Sequence, residues 1–171
     1  MSHDELRIRG TFTARCFQDG ELLWEALAPN MVVTVGKNLI LDQALTSGAT
    51  TMYLGLISNT GWTGVAATDT MASHPGWNEA GTTYAPTYSG GRQPISFQPA
   101  ASGSKTIASN PNFTMGSSGM LTGAFVVAGA GASTTVMSTT GVLMSAGQFT
   151  GGNYAVLPAN IIAIGYSIAL F

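Results

Sequence analysis

One short window of the sequence brings together side chains that could do chemistry. Asp69, Ser73, His74 and Glu79 place two carboxylates, a hydroxyl and an imidazole close together along the chain. These residue types could form a metal site or a Ser–His–Asp relay. The window lacks the motif context of a nucleophile elbow or of a metal-binding helix. We therefore favour a structural interpretation, in which the polar groups of a turn cap one another and anchor Trp77.

Other catalytic and cofactor sites find little support in the sequence. Asp69 and Glu79 are the only pair of acids outside the N-terminal region that could serve as the two carboxylates of a glycosidase, and a cleft would have to bring them together. Cys16 is the only cysteine, which excludes an intramolecular disulfide and a cysteine metal site. The Gly-rich stretches 116–123 and 129–132 lack the lysine and the helix of a phosphate loop. We predict a protein that is not an enzyme, with no catalytic residue, metal or cofactor.

Charged residues are scarce and unevenly distributed. The six basic and eight acidic residues make up 8% of the chain, against about 25% in ordinary globular domains. Ten of them precede residue 43, and the rest of the chain carries only Asp69, Glu79, Arg92 and Lys105. So few charges give a free monomer little protection against self-association. Because a protein packed against other protein does not need that protection, the composition indicates a structural subunit.

The same composition argues against several classes of partner. The formal net charge is −2 and no basic stripe is present, so we expect no nucleic-acid binding. No apolar run approaches the ~20 residues of a membrane span, and the polar start is not typical of a signal peptide. With a single cysteine, synthesis in a reducing cytoplasm is the simplest expectation. A secreted Ser/Thr/Gly-rich β-protein remains an alternative on composition alone.

Hydrophobic periodicity predicts an N-terminal hairpin followed by one short helix. Residues 6–17 alternate between apolar and polar side chains over much of their length, and Asp19-Gly20 is a strong signal for a two-residue turn. Residues 21–28 then return as a second strand. Residues 35–46 instead carry apolar side chains at helical spacing, which predicts the helix.

The remainder of the chain predicts short strands separated by turns. They are expected over residues 52–57, 93–97, 104–108, 112–115, 119–127, 134–142 and 160–171. Such strands with Gly, Asn and Pro turns are typical of an all-β jelly roll or related β-sandwich. We predict a single β-sandwich domain over residues 1–171, in which residues 1–10 could extend as an arm that adds a strand to a neighbouring subunit.

An irregular, aromatic-rich segment follows the strand at residues 52–57. Long irregular stretches in compact domains are usually functional or disordered, and the two tryptophans argue against disorder. Trp62, Trp77, Tyr84 and Tyr88 are candidate anchors for a partner, because aromatic side chains tend to dominate interface energies. The alternative is that Trp62 and Trp77 fill the ends of the sandwich core.

Four structural stretches occur in a characteristic order. They are residues 24–42, the Met-Tyr-Leu-Gly-Leu-Ile strand at 52–57, the Thr-Met-…-His-…-Gly-Trp loop at 69–79, and the Gly-Ala-Phe-Val-Val strand at 123–127 with the apolar C-terminal strand. In this order they resemble the head-decoration, or cement, proteins and minor virion proteins of tailed phages. The resemblance implies a jelly-roll or related sandwich that sits as a dimer or trimer on the outside of the capsid. It implies the major capsid protein as partner and carries no functional residues over.

Two other functions stay open at this point. One is a tail, baseplate or fibre component that binds a host-surface glycan through the aromatic-rich segment at residues 60–90. The other is a secreted lectin-like or hydrolytic β-sandwich, which the polar start and the lack of disulfides disfavour. Copy number in the purified particle would separate a capsid protein from a tail protein.

Overall fold

The computed structural model describes residues 8–36, 39–40, 51–98 and 104–170, and within them the chain is almost entirely β. The all-β prediction is confirmed. Residues 34–36 and 39–40 are helical, at the start of the predicted helix, whereas residues 41–46 of that helix lie outside the described residues. Residues 1–7 of the predicted arm lie outside them as well, and residues 8–10 belong to the first strand.

The described residues form twelve strands. They are β1 (Ile8–Gln18), β2 (Glu21–Val32), β3 (Met52–Ser58), β4 (Asn78–Gly81), β5 (Tyr84–Thr87), β6 (Gln93–Ile95), β7 (Ser104–Thr106), β8 (Asn112–Thr114), β9 (Gly119–Ala128), β10 (Val142–Gln148), β11 (Tyr154–Val156) and β12 (Ile161–Leu170). The strand predicted over residues 134–142 is wrong, because residues 134–141 are irregular, with a turn at 136–137, and β10 begins at Val142. Left-handed backbone at Met137 and Gly141 interrupts any strand there.

All twelve strands belong to one curled sheet. Its main path runs β5-β4-β3-β9-β10-β2-β1-β12-β7, with β6 beside β3, β11 beside β9 and β8 beside β12. We call β2, β1 and β12 with β7 and β8 the first half-sheet, and β10, β9 and β3 with their shorter neighbours the second half-sheet. Strand β2 joins the two, because it pairs with β1 along most of its length while Met31 and Val32 pair with β10.

The main core lies between the two half-sheets. Phe12, Ala28 and Ile164 of the first half-sheet belong to the same buried cluster as Leu56 and Val126 of the second. The curled sheet therefore encloses its own apolar side chains, as the two layers of a sandwich do.

A small polar cluster crosses this core and ties three strands together. Asn30 of β2 donates from Nδ2 to the Tyr166 hydroxyl of β12 at 3.2 Å, and the Ser145 hydroxyl of β10 lies 3.0 Å from the same oxygen. Burial raises the pKa of Tyr166 above its usual range, so the ring stays neutral. The cluster fixes how the two half-sheets meet without placing a charge in the core.

The hairpin between β1 and β2 follows the sequence closely. Asp19 and Gly20 both have positive φ, 51° and 86°, as the tight two-residue turn requires. Gln18 pairs with Glu21 across the turn, and the register shifts at a bulge between Cys16 and Phe17. The predicted N-terminal hairpin is therefore confirmed.

The second half-sheet is buried on both faces. Ile57, Phe125 and Leu143 point away from the main core and form a second buried cluster, into which Met71 and Trp77 pack from the segment before β4. The irregular segment at residues 59–77 thus covers the outer face of this half-sheet. This third layer explains why two tryptophans occur in a stretch without regular structure.

Candidate functional site

Asp69 holds in place the segment at residues 59–77, which we call the covering layer. Its Oδ2 accepts hydrogen bonds from the Trp77 indole Nε1 and from the backbone N–H of Ala66, both at 3.0 Å. Asp69 and Trp77 are 3% and 1% exposed. The Trp77 ring packs at 5.2 Å from the ring of Phe125 on β9. The interpretation that polar groups of this window anchor Trp77 is therefore confirmed.

The geometry around His74 does not resemble a catalytic relay. Its Nδ1 lies 2.9 Å from the carbonyl oxygen of Trp77, and because a carbonyl can only accept, Nδ1 carries the proton. The imidazole also stacks on the Trp77 ring at 3.8 Å. Asp69 is directed at Trp77 and Ala66, not at His74. Among the described residues, no group of three or more His, Cys, Asp and Glu could hold a metal ion.

Glu79 forms a buried ion pair with Arg92 that the sequence did not indicate. Arg92 donates from Nε to Oε1 at 2.8 Å and from Nη2 to Oε2 at 2.7 Å, so the pairing is bidentate. Both side chains are almost fully buried, and the guanidinium lies 5.3 Å from the centre of the Phe125 ring. Burial, together with the Glu79 carboxylate, raises the pKa of nearby Tyr88 above its usual range. Because Asp69 accepts a hydrogen bond from Trp77 and Glu79 pairs with Arg92, neither of them is a free carboxylate.

The ion pair also holds the turn segment that precedes β10. Glu79 Oε2 accepts from the backbone N–H of Met137 at 2.7 Å, and Arg92 Nη2 donates to the Ser138 carbonyl at 2.8 Å. The backbone N–H of Arg92 donates to the Thr134 carbonyl at 2.8 Å. Met137, which has a φ of 64°, is therefore fixed by contacts more than forty positions away in the sequence.

A cleft of about 320 Å³ opens between these two tied segments. One wall is the end of the covering layer and the start of β4, and the other wall is the turn held by the ion pair. The lining residues are Met71, Ala72, Ser73, His74, Pro75, Trp77, Asn78, Glu79, Met137, Ser138 and Thr139. Because its walls come from distant parts of the chain, sequence spacing could not indicate this cleft.

The four predicted anchor residues do not form one surface. Trp77 is buried in the second cluster, and Tyr88 is 7% exposed and packs edge-on against Phe113 in the main core. Neither presents surface to a partner in this conformation, and for Trp77 this favours the alternative core role. Trp62 and Tyr84 are half-buried. A partner contact through Trp62 or Tyr84 stays a prediction.

The outer face of the first half-sheet carries exposed apolar side chains instead. Leu22, Phe17 and Ile161 lie side by side across β2, β1 and β12, and Leu27 occupies the same face further along β2. Leu22 is 53% and Leu27 47% exposed. An exposed ion pair between Arg15 and Glu25 lies between them. Simple alternation along β2 places Leu22 on the same face as Trp24. Because the bulge instead turns Leu22 outward, sequence periodicity could not indicate this face.

Comparison of the chain with known proteins found no match. The chain matches no protein-family model, no curated protein and no solved structure. Among the described residues, no helix is both long and apolar enough to cross a membrane.

Proposed function

We propose that the protein is a structural component of a tailed-phage particle that binds the outside of the capsid and clamps neighbouring capsid subunits. The observation that carries the proposal is the near-absence of surface charge in the part of the chain after residue 42, which we call the β body. Of the four charged residues after residue 42, Asp69, Glu79 and Arg92 are buried, and only Lys105 is exposed. The resemblance in motif order supports the virion setting.

A neutral surface suits extensive contact with another protein. Charges that enter an interface must lose their hydration, and this loss often cancels their mutual attraction. Interface cores are correspondingly depleted of charged residues. The surface formed by residues after 42 carries one exposed charge and can be covered at little desolvation cost, whereas the exposed charges of the described residues otherwise lie on β1, β2 and the turn between them.

The outer face of the first half-sheet is the surface that we expect to meet the shell. An antiparallel sheet that faces water normally presents polar side chains there, whereas Leu22, Leu27 and Ile161 are exposed on this face, where the charges of Arg15 and Glu25 pair with each other. The three long strands side by side cover about 14 Å by about 33 Å, or on the order of 500 Å² in projection, and the short strands β7 and β8 widen this face. That extent approaches the ~800 Å² per partner of a standard protein interface.

Clamping follows from many such contacts acting together. A protein that binds the assembled shell but not its separated subunits stabilises the shell by mass action. A dimer or trimer that touches two capsid subunits adds multivalency, so modest contacts become effective across the lattice. The major capsid protein is the proposed partner, and the clamp needs no enzymatic chemistry.

The variant Leu22→Ser/Leu27→Ser tests the proposed contact surface. Both side chains are about half exposed, so we expect the fold to persist and binding to purified shells to weaken by at least about tenfold. Binding is measured by co-sedimentation of each purified variant with capsid shells that were prepared without this protein. Met120→Ser, an exposed methionine on β9 of the second half-sheet, is the matched control and should bind normally. Unchanged binding by the double variant with an unchanged thermal melt would reject this surface.

A tail, baseplate or fibre component is the second candidate. The specific observation in its favour is the neutral cleft beside the covering layer, in the region where the sequence analysis placed a glycan contact. A tail component would occur in few copies, whereas a capsid clamp covers the shell.

A further inference from the structure

The buried charges of the β body are concentrated around one cleft. Asp69 fixes the covering layer through Trp77, and the Glu79–Arg92 pair fixes the turn through Met137 and Ser138. Three of the four charged residues after residue 42 therefore hold the two walls of the cleft. No comparable network of charges surrounds any other part of the described second half-sheet.

These buried charges are better explained by the need to fix the cleft walls in position than by a gain in stability. A buried ion pair loses so much hydration that apolar side chains of similar size often stabilise a fold at least as well. A bidentate arginine, however, fixes the geometry of the groups around it. Walls that are fixed before a ligand arrives reduce the ordering cost of binding. The cleft thus has the construction of a preformed binding site.

The chemistry of the lining selects an uncharged ligand. Both oxygens of Glu79 are already occupied, by Arg92 and by the Met137 N–H, so that carboxylate is not available to a cation. No arginine or lysine lines the cleft to attract an anion. An ionised ligand would therefore enter without a partner for its charge, which is costly.

The same lining offers hydrogen bonds and apolar surface side by side. When the imidazole carries one proton, donation from His74 Nδ1 to the Trp77 carbonyl leaves Nε2 as an acceptor for a ligand hydroxyl. Ser73 lines the cleft from the covering layer and Thr139 lines it from the turn, and each carries a hydroxyl group. Pro75 and Met137 add apolar surface to the two walls. A sugar ring presents this combination of hydroxyl groups and apolar C–H faces.

We propose that this cleft binds one neutral pyranose unit of a carbohydrate. Its volume of about 320 Å³ lies at the small end of ligand sites, which suits one ring of a longer glycan. The remaining rings would extend into solvent past the open side. The proposal does not depend on capsid binding, since the cleft lies on the second half-sheet and the proposed shell contact on the first.

Ligand-observed NMR tests the proposal directly. Saturation-transfer difference spectra would be recorded with the intact protein and methyl α-glucopyranoside, methyl α-mannopyranoside, methyl β-galactopyranoside or N-acetylglucosamine, each at about 10 mM, as weak single-ring binding requires. We expect at least one of these neutral sugars to bind, and N-acetylneuraminic acid, which is ionised, to bind at least about tenfold more weakly. Amide shifts on titration should map to residues 71–79 and 137–139.

The double variant Ser73→Ala/Thr139→Val removes one hydroxyl from each wall. Both residues are exposed, so the fold should persist while the Kd for the sugar rises about three- to tenfold for each hydrogen bond lost. Thr82→Val, an exposed threonine outside the cleft, is the control and should leave the Kd unchanged. The proposal is overturned if no neutral sugar shows saturation transfer, if amide shifts map away from the cleft, or if the double variant binds like the wild type. The proposed shell contact lies on the other half-sheet, so failure here leaves the proposed function standing.

Discussion

The acidic side chains of the β body act as structural ties. Asp69 accepts two hydrogen bonds from the covering layer, and Glu79 accepts two from Arg92 and one from Met137. A carboxylate that is already satisfied in this way has little left with which to bind a metal or transfer a proton. The residues that could have done chemistry instead hold loops against a sheet.

Asp69 gives a prediction at the scale of one residue. Asp69→Ala leaves the buried Trp77 indole N–H without an acceptor, so we expect the free energy of unfolding to fall by about 1–3 kcal/mol. Asp69→Asn keeps a carbonyl oxygen in place and should cost clearly less. Urea denaturation followed by tryptophan fluorescence measures both variants. Equal losses for the two would show that the negative charge, not the hydrogen bond, is what matters.

The elements differ in how far the sequence predicts them. The β1–β2 hairpin follows from Asp19-Gly20, since only certain residues adopt two consecutive positive φ angles, and β3, β9 and β12 follow from their apolar runs. The irregular segment at residues 134–141 was predicted as a strand, because the contacts that shape it come from Glu79 and Arg92 in other elements. Local periodicity contains no information about such contacts, and for the same reason it could not indicate the cleft.

The tie between β4 and the turn before β10 gives a prediction at the scale of elements. Arg92→Met should lower the free energy of unfolding by about 3–5 kcal/mol, because it leaves Glu79 buried without its cation. Glu79→Leu/Arg92→Met should cost less than the sum of the two single changes, since no charge is then left unpaired. Urea unfolding of the four proteins completes the double-mutant cycle. Strict additivity would mean that the pair does not act as a unit.

Hydrogen exchange tests whether the Glu79–Arg92 pair positions the turn at Met137, separately from its effect on global stability. In the double variant the backbone N–H of Met137 has lost its acceptor, so we expect its exchange with solvent to accelerate even where global stability is recovered. Amides in β9, which pack in the sheet, provide the internal reference. Unchanged protection at Met137 would show that the turn keeps its place without the ion pair.

The whole molecule combines a charge-poor body with two different outer faces. On the second half-sheet the covering layer buries the apolar side chains, whereas on the first half-sheet Leu22, Leu27 and Ile161 remain exposed. The composition shows that charged residues are scarce. The sequence could not indicate that three of the four charged residues after residue 42, namely Asp69, Glu79 and Arg92, are buried. That inward placement leaves Lys105 as the one exposed charge after residue 42, which is the basis for proposing a protein that works while covered by others.

The copy number and position of the protein in the particle test the central proposal most directly. Cryo-electron microscopy of tailed-phage particles that contain this protein, combined with quantitative mass spectrometry, measures both. A capsid clamp predicts on the order of hundreds of copies, arranged with the capsid lattice on the outer surface, because its effect depends on many simultaneous contacts. A handful of copies, located in the tail and absent from the shell, would contradict the proposal.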